Sequence, residues 1–208
     1  MVVAEVGPLQ EGPGSVFDTR PRSPYGLHPQ KQAGLFYAGL HVPVGRLRAT
    51  DLQDLASAAD RYGAGEVRIT EDQNVILTGI RAEARTELEQ DPLLQRFPLH
   101  PHPVGAGTVS CTGNTYCSFA LTNTKDTALA MASELDSELN LPEEVKIHWT
   151  GCPNSCGQAY MGAIGLTGTK TRGPEGGMVE GYDLTLGGSQ GKDPQIGILS
   201  RKGVPATE

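Results

Sequence analysis

The chain carries four cysteines, Cys111, Cys117, Cys152 and Cys156, set out as a C-x5-C pair and a C-x3-C pair far apart in sequence. Every cysteine belongs to a pair. A thiolate is a soft donor that binds iron or zinc as the anion, so four of them in one pocket call for a cation among them. Spacing alone leaves three readings open. Structural zinc favours short knuckles of the C-x2-4-C type, and the first pair is wider than that. An iron–sulfur cube accepts wider spacing, because its irons are spread over several ångströms and each takes one thiolate. The remaining reading is four unliganded core thiols. Two disulfides would suit a small secreted domain, which this chain of 208 residues is not.

The surroundings of the second pair sharpen the picture. Val145–Thr150 reads as a strand running straight into Cys152-Pro153-Asn154-Ser155-Cys156. Both thiols then sit at a sheet edge, where open α/β sheets place their ligands. If this segment enters a helical turn, the two sulfurs point the same way at i and i+4, with backbone amides close by to stabilise the anions. Gly113, Gly151 and Gly157 are expected to keep side chains away from an inorganic core.

The elements that must position these residues fall into two sets. Residues 1–24, with Gly7-Pro8, Gly12-Pro13-Gly14 and Ser23-Pro24, read as a linker or disordered tail. Leu35–Val42 reads as a strand, and Thr50-Asp51-Leu52-Gln53 has the form of a helical capping box. Leu52, Leu55, Ala56, Ala59 and Tyr62 follow at helical spacing, with Gly63 placed to end the helix in a left-handed turn. Glu66–Thr70 and Asn74–Thr78 alternate as a hairpin, and Ala82–Gln90 reads as a second helix. With a last strand near Gly107–Ser110, this is most of a ferredoxin-like split βαβ unit. The stiff stretch Pro98–Pro103 marks the boundary, giving a ferredoxin-like half-domain over 25–103 and a cluster-binding domain over 104–208.

In the second part, Thr124–Leu139 reads as a helix with Leu129, Ala132, Leu135 and Leu139 on one stripe. Gly162–Leu166 and Tyr182–Leu186 are expected strands, and Asp193–Lys202 a closing helix. The fold class is α+β. His28-Pro29, His100-Pro101 and His102-Pro103 lack ligand spacing and read as extended surface loop.

Composition excludes several functions. A net charge of −7 and the lack of clustered Lys and Arg argue against nucleic acid. No apolar run approaches the ~18 residues of a membrane span. Met1–Glu11 has no basic residue before its short apolar start, so it makes a poor signal peptide and a cytoplasmic setting is expected. The 27 glycines and 15 prolines imply many turns packed close to something large.

Cys111-Thr112-Gly113-Asn114-x-x-Cys117 and the run His148-Trp149-Thr150-Gly151-Cys152-Pro153-Asn154-Ser155-Cys156-Gly157-Gln158 resemble the siroheme and [4Fe–4S] signature of the nitrite/sulfite reductase family. The likeness extends to His28-Pro29-Gln30-Lys31-Gln32, Arg68-Ile69-Thr70-x-x-Gln73-Asn74, Ile164-Gly165-Leu166-x-Gly168 and Glu180-Gly181-Tyr182-Asp183-x-x-Leu186-Gly187-Gly188, so it spans about residues 25 to 208. The resemblance implies that Cys111, Cys117, Cys152 and Cys156 bind a [4Fe–4S] cluster and that Cys156 also bridges to the siroheme iron. Thr150 and Asn154 match positions lying against the macrocycle. The implied reaction takes single electrons from ferredoxin and reduces nitrite to ammonia, with sulfite as the alternative oxyanion. A complete family enzyme contains two related halves, of which this chain matches the second. The cationic residues that bind substrate come from the missing N-terminal half, so no catalytic acid is assigned here. For this half without its partner, the alternative is an inactive half-enzyme or relic. Arg68 reads as a structural strand arginine or a partner of a siroheme carboxylate rather than a substrate ligand, and Lys170 and Arg172 as a solvated loop.

Overall fold

The computed structural model describes residues 24–191 and 193–207; the expected tail, except for Pro24, lies outside them. Among the described residues, nine strands form two sheets. The first sheet contains β1 (Gly26–Pro29), β2 (Leu35–Leu40), β3 (Val67–Ile69) and β4 (Val75–Arg81) in the order β1-β2-β4-β3, antiparallel throughout. Helix α1 (Ala49–Tyr62) joins β2 to β3 and lays Leu55, Ala58, Ala59 and Tyr62 on Ala38, Leu40, Val75, Leu77 and Ile80 of the sheet. Each large apolar side chain buried this way contributes about 1.5–3 kcal/mol.

The start and end of α1 differ from the sequence reading. The N-cap is Arg48, whose amide donates to Asp51 Oδ2 at 2.9 Å, rather than Thr50. A carboxylate in the first turn suits the positive end of the helix. The Arg48 side chain and amide, with Arg96 behind them, hold the Asp51 carboxyl down at about 2. Gly63 has φ −132° rather than a left-handed φ, and its role is steric: a Cβ there would stand 2.3 Å from the Thr78 carbonyl oxygen. The expected second helix is split into a 3-10 turn at Ala82–Ala84 and the single turn α2 (Arg85–Leu88).

The fourth strand of the ferredoxin-like unit comes from the N-terminal side. β1 takes the edge position, whereas Thr108–Ser110 forms β5 of the second sheet. Five residues of helix, α3 (Pro103–Gly107), separate the connector from β5. The second sheet runs β5, β6 (Ile147–Thr150), β7 (Ile164–Arg172), β8 (Met178–Leu186), β9 (Ile198–Pro205), parallel across β5-β6-β7 and antiparallel beyond.

Helix α4 (Thr124–Glu138) packs on this sheet through Thr124, Ala128 and Ala132, while Leu129 and Leu139 are exposed, so the buried stripe is rotated from the expected one. Trp149 meets the Tyr182 ring edge-to-face at 4.9 Å inside the resulting core. The expected closing helix is instead β9. Gly197 and Gly203 weaken a helix there, and strand pairing covers the β8 edge, with the Gly203 amide donating to Asp183 at 2.8 Å.

Candidate cluster-binding site

Parallel pairing of β5 with β6 brings the C-terminal ends of both strands side by side, and each end leads into one cysteine pair. Cys111 follows β5 directly; its amide continues the ladder to the Trp149 carbonyl at 3.0 Å. Its sulfur accepts a hydrogen bond from the Gly151 amide at 3.1 Å. The Thr124 hydroxyl donates to the Cys111 carbonyl at 2.7 Å. The loop carrying Cys117 is turned back by the Cys117 amide on the Gly113 carbonyl at 3.1 Å and pinned by the Leu121 amide on the Gly151 carbonyl at 2.7 Å.

The segment after β6 is a chain of tight turns rather than a helix. Ser155 and Gln158 both have φ of 55°, which ends any helical run and separates the two thiols in environment. Cys152 is buried and Cys156 is exposed. Thr150, fully buried, holds the turn through its hydroxyl, which donates to the Cys152 carbonyl at 3.4 Å and accepts from the Gly157 amide at 3.5 Å.

All four cysteines line one cavity of about 410 Å³, together with Thr112, Gly113, Tyr116, Phe119, Thr150 and Asn154. Every site residue singled out from the sequence is therefore brought to the same place. The donor chemistry fits an iron–sulfur cube: four free thiols ring the space. Among the described residues, no three His, Cys, Asp or Glu side chains stand close enough to hold one ion. Four soft thiol donors on one cavity match the one-thiolate-per-iron ligation of such a cube.

The glycines act differently from expectation. Cβ atoms on Gly113, Gly151 and Gly157 would meet Thr124 Oγ1 at 2.7 Å, Ala120 Cβ at 2.8 Å and the Trp149 carbonyl oxygen at 1.9 Å. Their absence of side chains lets the loops close onto the protein rather than clearing the cavity.

Other residues fall outside the site. His148 and Trp149 fill the sheet beneath it, with His148 Nδ1 3.0 Å from the Gly157 carbonyl and its pKa lowered by burial. Arg68 is an exposed strand arginine bonded to Glu66 at 3.0 Å. Lys170 and Arg172 belong to β7 rather than a loop, with Lys170 3.9 Å from Glu180. His28 lies in strand β1, its Nε2 2.7 Å from the Tyr25 carbonyl, while His100 and His102 are exposed. Two aromatic residues at the cavity, Tyr116 and Phe119, were not singled out from sequence; they are 86% and 73% exposed. Two large aromatic residues beside Cys117, in a chain with 5% aromatics, were the available signal.

Comparison with known proteins agrees with this geometry. Residues 28–94 match the nitrite/sulfite reductase ferredoxin-like half domain, and residues 106–208 match the nitrite and sulphite reductase 4Fe-4S domain. The chain belongs to the nitrite/sulfite reductase family. It is 53% identical over 205 residues to a ferredoxin–nitrite reductase of Synechococcus elongatus, covering 98% of this chain and 40% of that protein. A chloroplastic ferredoxin–nitrite reductase of Arabidopsis thaliana is 45% identical, over 90% of this chain and 32% of its own length. The chain thus spans well under half of these relatives. Among solved structures, the Mycobacterium tuberculosis NirA protein superposes with a TM-score of 0.85 at 26% identity, covering 99% of this chain and 39% of that one.

Proposed function

We propose that this chain is the cluster-binding part of a ferredoxin-dependent nitrite reductase, working in the cytoplasm with ferredoxin as electron donor and nitrite as substrate. The observation that carries this reading is the convergence of Cys111, Cys117, Cys152 and Cys156 on one cavity at the ends of β5 and β6. The names of the relatives point to the donor and the substrate. No described helix is long and apolar enough to cross a membrane.

In this reading the four cysteines would hold a [4Fe–4S] cluster, and the bound cluster and siroheme would supply the one-electron transfer and oxyanion-reducing chemistry. Cys152, buried, anchors the inner side. Cys156 is exposed and would be the ligand that faces a bound siroheme. Asn154 lines the cavity and would face the macrocycle, with buried Thr150 behind it fixing the turn between the two cysteines. Tyr116 and Phe119 supply apolar surface for a large flat ring.

The residues lining the cavity are all neutral, apart from the thiols themselves. Nitrite is an anion whose reduction consumes protons, and cationic donors must face it. We therefore propose that the substrate contacts lie outside this chain, in the part of the longer relatives that it does not span.

Anaerobic production of the 208-residue chain with iron–sulfur assembly tests this. About four irons and four acid-labile sulfides per chain are expected, falling sharply on Cys152→Ala. Zinc in place of iron and sulfide would end the reading. Alone, the chain should show little siroheme absorption; strong siroheme colour with nitrite turnover would overturn the placing of the substrate contacts elsewhere.

A further inference from the structure

The peptide that carries Cys111 is held from outside its own domain. β5 is an edge strand, and the Cys111 amide points inward to Trp149, so the Ser110 carbonyl and amide point outward, where no strand follows. Gln73, in the β3–β4 turn of the ferredoxin-like half, fills that gap. Its Nε2 donates to the Ser110 carbonyl at 2.8 Å and its Oε1 accepts from the Ser110 amide at 3.3 Å, as a neighbouring strand would. Lys125 of α4 donates to the same carbonyl at 3.0 Å and also to the Val44 carbonyl. Ser110 itself is fully buried.

The backbone around this contact is strained on both sides. Gln73 has φ 65° and Val44 has φ 47°. A β-branched residue at positive φ is a genuine outlier, and such strain persists only where the surroundings over-determine it. Both strained residues contribute an atom to the same small network. Burial lowers the Lys125 pKa, Arg46 nearby adds to that, and Cys111 opposes both.

We propose that Gln73 and Lys125 are positioning residues: they clamp the Ser110 carbonyl, and through that peptide plane set where Cys111 presents its sulfur and what charge surrounds it. The ferredoxin-like half thereby adjusts the cluster without supplying a ligand. This rests on the reading of Cys111 as a cluster ligand. A half-buried cation held one residue from a cluster ligand favours the added electron, so Lys125 raises the cluster's reduction potential, and Gln73 slows release of the Cys111 arm.

The test uses the chain with its cluster assembled anaerobically. Gln73→Gly is the clean variant, because glycine suits the left-handed turn and only the clamp is lost. Lys125→Met removes the charge and Lys125→Arg restores it. Lys146→Met serves as control: it breaks the 2.6 Å pair with Asp72, which ties the same turn to the second domain without touching Ser110. We expect Gln73→Gly to lose iron to a chelator at least about tenfold faster, because both hydrogen bonds to Ser110 are lost. It should also alter the electron paramagnetic resonance of the reduced cluster. Lys125→Met should shift the potential negative and Lys125→Arg should return it. Lys146→Met should lower thermal stability with an unchanged cluster signal. Variants matching the parent in chelation, resonance and potential would overturn the clamp, as would a Lys146→Met that changes the cluster signal as Gln73→Gly does. A parent chain that holds no iron would instead end the cluster reading, and the clamp with it.

Discussion

His41 shows how a single buried group ties this molecule to pH. It follows β2, is 7% exposed, and stacks edge-on against Tyr25 at 5.7 Å. Burial pushes its pKa down to about 4, against smaller opposing effects from the Gly105 carbonyl and the Asp136 carboxylate. The folded chain therefore holds a neutral imidazole that the unfolded chain protonates near 6.5. Stability from this group is intact above about pH 6.5 and is lost as pH falls toward 4, on the order of 3 kcal/mol in all. Denaturant titrations of the apo chain at pH 7 and pH 4.5 should show the loss, and His41→Gln should reduce it; equal pH dependence in both proteins would sink the assignment. Gly157 tests a different residue-scale constraint. Its missing Cβ leaves room for the Trp149 carbonyl oxygen 1.9 Å away, with backbone on both sides and no flexible side chain to yield. Gly157→Ala should destabilise by about 3 kcal/mol or more and strip iron from the site. Gly151→Ala, facing the Ala120 methyl at 2.8 Å, should be milder. Iron content and thermal melts of the pair would reverse the argument if Gly151→Ala proved worse.

At the scale of elements, α4 separates what periodicity reveals from what packing decides. Leu129 and Ala132 were read onto one buried stripe, yet Leu129 is 41% exposed and Ala132 is 4% exposed. The close approach of the helix to β5 and β6 selects small residues at Ala128 and Ala132, while Leu135 packs half-buried at the margin of the core and Leu129 turns outward. Leu129→Gln should change stability by no more than about 0.5 kcal/mol, whereas Ala132→Leu should cost about 1–3 kcal/mol; the opposite order in chemical denaturation would restore the original stripe. Strands β2, β4, β6 and β8 were legible because each is a short run rich in β-branched, aromatic or aliphatic residues. β9 was not, since Ile198-Leu199-Ser200-Arg201 carries no alternation and its fate depends on an exposed β8 edge elsewhere in the chain. The cysteine cavity was legible because ligand type and spacing are written in the residues themselves. The clamp on Ser110 was not, because its partners meet backbone carbonyls, which have no signature in sequence.

For the whole molecule, the question is whether the two sheets behave as one body. Their junction is polar and closed. Asn74, 5% exposed, accepts from the Val42 amide at 2.8 Å and donates to the Asp72 carbonyl at 2.8 Å and to the Tyr25 hydroxyl at 3.1 Å. Tyr25 in turn donates to the Ala106 carbonyl of α3 at 2.7 Å, so one amide links the start of β1, the end of β2, the β3–β4 turn and the second domain. Lys146, ahead of β6, reinforces the same seam by pairing with Asp72 at 2.6 Å and Glu144 at 2.8 Å. Such a network adds little beyond its hydration when complete, but leaves several buried groups unpaired when one member is lost. Asn74→Ala strands the Val42 amide and weakens the seating of Tyr25, and should destabilise by about 2–4 kcal/mol. Because that damage lies at the seam, the variant should also lose cooperativity: hydrogen exchange at β2 and β4 should speed up while β6 and β7 stay protected. The parent chain should exchange both sheets in one global opening. Independent opening of the two sheets in the parent would show that the junction does not couple them, and Asn74→Ala would then lower only the stability of the first sheet.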